Sequence, residues 1–451
     1  MGTGDTAGTT AGDRPAAVPS GMLPWRDPRL LAAVLLLAAA AITAAWVARG
    51  LGTPADLLAV WVAGEFWQMG RVGEIYPPAE GLFTLLPPAG WADWLAANLD
   101  DSASVYPYLY PPLWAVLMGT LAPADFAAVA EASYWINAGL LAATVALAIR
   151  VAGAPVQPVL HVVLVLVIFL TTHIASVGYL QGQPHILVAF LIVLAIERSR
   201  AGAPIAAGTA LAFAAAIKLF PLIYAVVWLA RGDRRALVTF ALVGAALALA
   251  SVLVAGWPLH AAFLDSLRQI GRTLLLIGNS LSFDAVVGKL FLTDTAQVIG
   301  APTQESADGA YRIWRVAARP ALWAAVANAG LLAVLAGAAL AARRLTADAL
   351  YAGVWPALLA FSVLFTPTGW IYYAIPVAVF APTLLAGRGD TRGLALFAIG
   401  LLLFYSGRLE LFKGPGGLRI DEVFFYLTGT FVWGLGFVRV AHRRSQAVSS
   451  E

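Results

Sequence analysis

From Gln181 to Pro221 the chain reads QGQPHILVAFLIVLAIERSRAGAPIAAGTALAFAAAIKLFP, and the architecture follows from how this segment is punctuated. A polar turn, Gln181-Gly182-Gln183-Pro184, opens an apolar segment that stops at Glu197-Arg198. After a short basic loop, a second apolar segment stops on a single lysine, Lys218, with Pro221 close behind. A further apolar run leads to Arg231, Arg234 and Arg235. Arginines mark both ends of the Pro204–Ala230 stretch, and the excess of basic residues in cytoplasmic loops puts both ends on the cytoplasmic side. A segment that leaves and returns to one side turns at its middle, near Lys218. Each arm has about 12–14 residues, roughly 20 Å of helix, short for a hydrocarbon core of about 30 Å. Short arms broken near a proline, with a cation at the turn, point to a cavity reaching into the membrane from the outer face. The plainer alternative is a lysine snorkelling to the outer interface.

The rest of the composition agrees with a polytopic, all-α membrane protein. Hydrophobic residues make up 61% and charged residues 12%, against about 25% charged in soluble domains. Mean hydropathy is +0.81, and apolar runs of spanning length recur along the chain. The formal net charge of +3 comes from loop arginines rather than a nucleic-acid surface. Only three lysines occur, Lys218, Lys289 and Lys413, all placed on the non-cytoplasmic side. The absence of cysteine excludes disulfides, thiolate metal sites and cysteine nucleophiles.

Taken in order, residues 1–29 read as a disordered cytoplasmic tail, and Leu30–Ala48 as an uncleaved first span. Residues 49–125 form a large external region with aromatic-rich interfacial helices, and 256–319 a second, whose Thr303–Gly309 stretch reads as a loose loop. Spans are expected near 126–149, 158–172, 184–197, in both arms around Lys218, at 236–255 and 320–342, and in four further crossings up to His442. About twelve crossings with both termini cytoplasmic is the simplest solution. The transmembrane domain then covers 30–442, and 443–451 is a second cytoplasmic tail.

Polar residues gather on one side. Asp56, Glu65, Glu74, Gln181, Gln183, Lys218, Asn279 and Ser280 fall at or just outside the external ends of spans, so a site here faces outward. Asp56, a few residues after the first span, is placed to act as a general base raised in pKa by partial desolvation. It equally suits a helix N-cap, and one residue can do both. Lys218 is suited to holding a phosphate as a point charge. Tyr110-Pro111-Pro112 stiffens a helix entry, or is ordinary turn chemistry. Trp370, Tyr372 and Tyr373 form either an aromatic belt or a surface that stacks on a sugar or polyprenyl chain. The five histidines show no metal-ligand spacing, and no Walker loop, GxGxxG or GxSxG context occurs.

Six short pieces, in order across residues 54–375, resemble glycosyltransferase family 87, polyprenol-phosphate-mannose-dependent enzymes with the GT-C type of transmembrane bundle. They are Asp56 with Gly70 and Ile75-Tyr76; Tyr110-Pro111-Pro112-Leu113; Gly182-Gln183; Ala216-Ile217-Lys218 with Pro221; Gly278-Asn279-Ser280-Leu281; and Pro367 with Trp370. The resemblance implies a bundle of about twelve transmembrane helices with external interfacial helices, in a bacterial inner membrane. It implies transfer of a sugar from a polyprenyl-phosphate donor to a glycolipid or glycan hydroxyl on the outer face. Asp56 would be the catalytic base. Lys218, Tyr110 and Gln183 would hold the donor's phosphate and lipid. Glu65, Asn279, Ser280, Trp370, Tyr372 and Tyr373 would contact substrate. No metal, nucleic-acid partner or cofactor beyond the lipid-linked donor is expected. The chain departs from the family's habit at Tyr372-Tyr373, where a histidine is frequent nearby, at Gly369 for serine and at His185 for asparagine. These differences bear on the sugar more than on the reaction.

A secondary transporter with broken helices is the competing class, and a non-catalytic envelope scaffold a third. Against a transporter, the external regions are large, no two halves look alike, and polar residues lie on one side of the midplane only.

Overall fold

The structure, a computed structural model, describes residues 28–47, 52–77, 88–99, 105–121, 125–153, 155–299, 314–387, 389–409 and 420–449. The 1–29 tail (but for its last two residues), the Thr303–Gly309 stretch, Lys413 and the last two residues of the chain lie outside these residues.

Apolar runs without a polar break become long helices, because in hydrocarbon a helix pairs nearly every backbone group within one segment. Six described helices are long and apolar enough to cross a membrane: Pro28–Val47, Phe126–Ala152, Arg234–Ala255, Ala321–Arg344, Ala347–Leu364 and Glu422–Gln446. Pro158–Leu180 makes a seventh if its two halves count as one span. They meet at 67°. The break is Thr172, whose backbone is extended (φ −118°, ψ 174°). Its hydroxyl donates to the Ile168 carbonyl at 2.7 Å and accepts from the Ile174 amide at 3.3 Å, ending one helix and capping the next.

Among the described residues, the other crossings expected are not made by helices of full spanning length. Pro204–Ile217, Phe220–Arg231 and Thr391–Gly407 are shorter apolar helices, and Ile371–Leu385 is a chain of helical turns interrupted around Pro376 and Pro382. Proline lacks the amide that would continue the hydrogen-bond ladder, so segments rich in it fragment.

The Lys218 segment turns as its charge pattern predicts. Lys218 ends the Pro204–Ile217 helix with extended backbone (φ −142°, ψ 132°), and a tighter helical segment from Phe220 carries the chain away. The second arm returns to the arginine-rich end: Trp228 Nε1 donates to Ser199 Oγ at 3.0 Å, and Arg231 bonds the Ala342 carbonyl at 3.1 Å. That end is laced by ion pairs. Arg150 and Arg198 hold the buried Glu197, Arg200 and Arg444 share Asp348, and Arg439 and Arg443 share Asp390.

At the opposite end lie the two regions expected outside the membrane. In the first, the Ala55–Gln68 helix packs on the Pro112–Gly119 helix through Gly64 and Gly119. A Cβ on Gly64 would stand 2.5 Å from the Gly119 amide nitrogen, so only glycine lets the backbones approach. Around them Leu58, Val60, Phe66, Trp91 and Tyr108 are fully buried. The second region is a departure from an all-helical reading. After an amphipathic helix, Trp257–Arg272, strands β1 (Thr273–Leu276), β2 (Gln297–Ile299) and β3 (Trp314–Ala318) form a small antiparallel sheet in the order β1-β3-β2. Thr273 pairs with Ala318 and Leu276 with Arg315. The pairing joins segments forty residues apart in sequence, which local pattern does not disclose.

Candidate active site

The site is built around the polar turn at Gln181–Gln183. Gly182 takes φ +62°, and a Cβ there would lie 2.7 Å from that of Leu57 and 3.1 Å from that of Pro54. Glycine therefore lets the turn press against the start of the Ala55–Gln68 helix. The Gln181 carbonyl accepts from the amides of both Asp56 and Leu57 at 3.1 Å. Pro54 is the cap residue and gives no side-chain bond. The N-cap role weighed for Asp56 thus falls to a carbonyl from another segment, and its carboxylate is spared for other work.

That carboxylate takes a side-chain hydrogen bond from Gln183 and feels the charge of Lys218. Gln183 is 4% exposed. Its Oε1 accepts from Tyr110 Oη at 2.9 Å and from Lys218 Nζ at 3.2 Å. The ammonium sits 5.2 Å from the ring centre of Tyr110, 5.2 Å from Tyr372 and 5.3 Å from Tyr373. Three aromatic faces stabilise a desolvated cation electrostatically. Behind them Tyr373 stacks on the fully buried His185 at 4.4 Å and on Phe220 at 5.1 Å, while Trp370 stacks on Tyr372 at 6.0 Å. Tyr372 and Tyr373, expected to contact substrate, also face the lysine.

Burial pushes the Asp56 carboxyl up to about 6, against the opposing pull of the Gln183 bond and the Lys218 charge. Burial also holds the Tyr110 hydroxyl well above its ordinary range, with Asp56 adding to the effect. Tyr110 is therefore a hydrogen-bond donor and Asp56 an acceptor of protons near neutrality.

Asp56, Tyr110, Gln183, Lys218, Asn279, Trp370, Tyr372 and Tyr373 all line one cavity of about 390 Å³. Asn279 reaches it from a loop stitched to the Thr366–Ile371 strap: Ile371 N donates to the Asn279 carbonyl at 2.9 Å, Ser280 Oγ to the Gly369 carbonyl at 3.1 Å, and Ser282 Oγ to the Thr366 carbonyl at 2.6 Å. Two expected substrate contacts do not reach the cavity. Ser280 is 3% exposed and spends its hydroxyl on that stitching. Glu65 is nine residues beyond Asp56 on the same helix, about 13 Å further along its axis.

The structure adds a wall that sequence reading passed over. Phe263, Leu267 and Ile270 of the amphipathic helix, with Leu275 of β1, line the chamber. Apolar residues recurring at helical spacing (Leu259, Phe263, Leu267, Ile270) against Asp265, Arg268 and Arg272 carry that signal. A second cavity of about 400 Å³, lined mainly by alanine, leucine and proline, lies between the Pro204–Ile217 and Arg234–Ala255 helices. It shares Pro111, Leu219 and Phe263 with the first.

A helical membrane protein that gathers a half-buried carboxylate and an ammonium into one chamber, with an apolar cavity adjoining it, is laid out as a membrane-embedded enzyme. The chain belongs to glycosyltransferase family 87, whose model matches residues 108–367, more than half of its length. No curated protein matches the chain. The matched segment contains Tyr110, Gln183, Lys218 and Asn279, while Asp56, Trp370, Tyr372 and Tyr373 lie outside it and join the site only through the fold.

Proposed function

We propose that this glycosyltransferase moves a sugar, mannose first among the candidates, from a polyprenyl-phosphate donor to a hydroxyl of an envelope glycolipid or glycan. The observation that carries the reading is Asp56, Gln183 and Lys218 facing one chamber, beside an apolar cavity with which it shares wall residues. Asp56 takes the proton of the acceptor hydroxyl as that oxygen bonds the anomeric carbon. The bond from the anomeric carbon to the phosphate oxygen breaks, and its electron pair leaves with the polyprenyl phosphate, whose charge Lys218 neutralises. A single displacement inverts the anomeric centre. The isoprenoid tail suits the apolar cavity, whose shared residues Pro111, Leu219 and Phe263 adjoin the chamber.

The arginine-laced end is the cytoplasmic one in this reading, so the chamber faces the exterior of a bacterial inner membrane. With the short and broken segments counted as crossings, residues 30–442 make about twelve and form one catalytic domain of GT-C type.

The test is transfer of radiolabelled sugar from polyprenyl-phosphate-mannose and related donors in membranes carrying wild type, Asp56→Asn or Lys218→Ala. Loss of a general base typically costs about 10²–10⁴-fold, and a loss in that range is expected for Asp56→Asn with insertion unchanged. Lys218→Ala is expected to fall as far or further, because it strands the leaving phosphate without a counter-charge. Full transfer by Asp56→Asn would remove the base assignment. Failure of the wild type to consume any donor of the panel would remove the donor class.

A further inference from the structure

Resting on that reading, we propose that Gln183 is a positioning residue: it stands between Asp56 and Lys218, holding base and cation apart and orienting each toward the chamber. An ammonium has donors only, so the amide atom that Lys218 Nζ meets at 3.2 Å is the oxygen. Tyr110 Oη, donating at 2.9 Å, fills that oxygen's other lone pair. The amide orientation is thereby fixed, and its NH₂ group is the part left for the carboxylate of Asp56, which when ionised only accepts.

The backbone leaves the side chain no easy escape. Gln183 N donates to the Gly178 carbonyl at 2.8 Å, Gly182 is locked in its left-handed turn, and the residue is 4% exposed. A carboxylate and an ammonium in direct contact satisfy one another: the base loses proton affinity and the cation spends its donors. With a neutral amide between them, Asp56 keeps lone pairs for an acceptor hydroxyl and Lys218 keeps two of its three N–H groups for a phosphate. The groups bearing on Asp56 are Lys218 from the helix break, Tyr110 from the outer region, and Tyr372 and Tyr373 from the Ile371–Ala374 turn that follows the strap. Of these only Lys218 is charged near neutrality, and the amide's hydrogen bond is a neutral contact that also favours ionised Asp56.

Gln183→Met keeps length and removes the bonds. Two readouts are compared with wild type: the pH profile of kcat/KM, and the pH dependence of Asp56 labelling by a hydrophobic carbodiimide, which modifies the protonated carboxyl. Both midpoints are expected to rise together by about one pH unit, which is tenfold in activity on the acid limb, with the difference shrinking toward high pH. Tyr110→Phe frees one side of the amide oxygen and is expected to shift both midpoints less, in the same direction. Unchanged midpoints in both variants, or an activity loss equal at every pH, would overturn the proposal in favour of simple packing. Should Gln183→Met fail to insert, Tyr110→Phe decides alone. Labelling does not require turnover, so it judges Gln183 even if the wild type transfers no sugar from the donors tried.

Discussion

At the scale of the residue, the site rests on one unfavourable placement made useful. Burial raises the Asp56 carboxyl from its ordinary value to about 6, so its ionised form, the one that accepts a proton, predominates only above that pH. Transfer is therefore expected to be flat above about pH 7 and to fall tenfold per unit below about 6, read as kcat/KM against pH. An acid limb centred near 4 would mean that Asp56 is solvated in the working enzyme. Asp56 and Lys218 were legible in the sequence because ionisable groups in so apolar a chain are costly and rarely accidental. The purpose of the tyrosines was not, since Tyr110, Tyr372 and Tyr373 meet around Lys218 only after segments more than a hundred residues apart are folded together.

At the scale of the element, the turn at Gly182 sets the position of the whole Asp56 helix. Gly182→Ala places a side chain in a left-handed conformation, at a cost of about 1–2 kcal/mol, and drives its Cβ into Leu57. A lower melting temperature in detergent and a lower kcat are both expected, since the helix start that carries Asp56 must shift. A melting curve matching wild type would show that the turn yields without moving the helix. The Trp257–Arg272 helix shows the other limit of reading elements. Its amphipathic pattern was present in the sequence, yet nothing local said that Phe263, Leu267 and Ile270 would wall a chamber opened by Asp56 and Lys218.

At the scale of the whole molecule, the chain separates an arginine-laced end from a polar chamber at the other. The absence of native cysteine makes this directly testable with single introduced thiols. Thr53→Cys, exposed near the start of the Asp56 helix, should react in intact cells with a membrane-impermeant maleimide. Ala201→Cys, exposed beside Arg200, should react only after the membrane is opened. The reverse pattern would put the chamber in the cytoplasm and remove the external-face reading.

The sequence alone determined a helical membrane protein with basic residues at one set of helix ends and a carboxylate and a lysine at the other. Those features are local: hydropathy, charge and the placing of prolines act on each segment by itself. Only the tertiary structure decided how many helices are long enough to span, that β1 pairs with β3, that Ser280 is a stitch and that Gln183 sits between Asp56 and Lys218. Each of these depends on contacts between distant segments, where packing and hydrogen-bond satisfaction choose among arrangements that the local pattern permits equally.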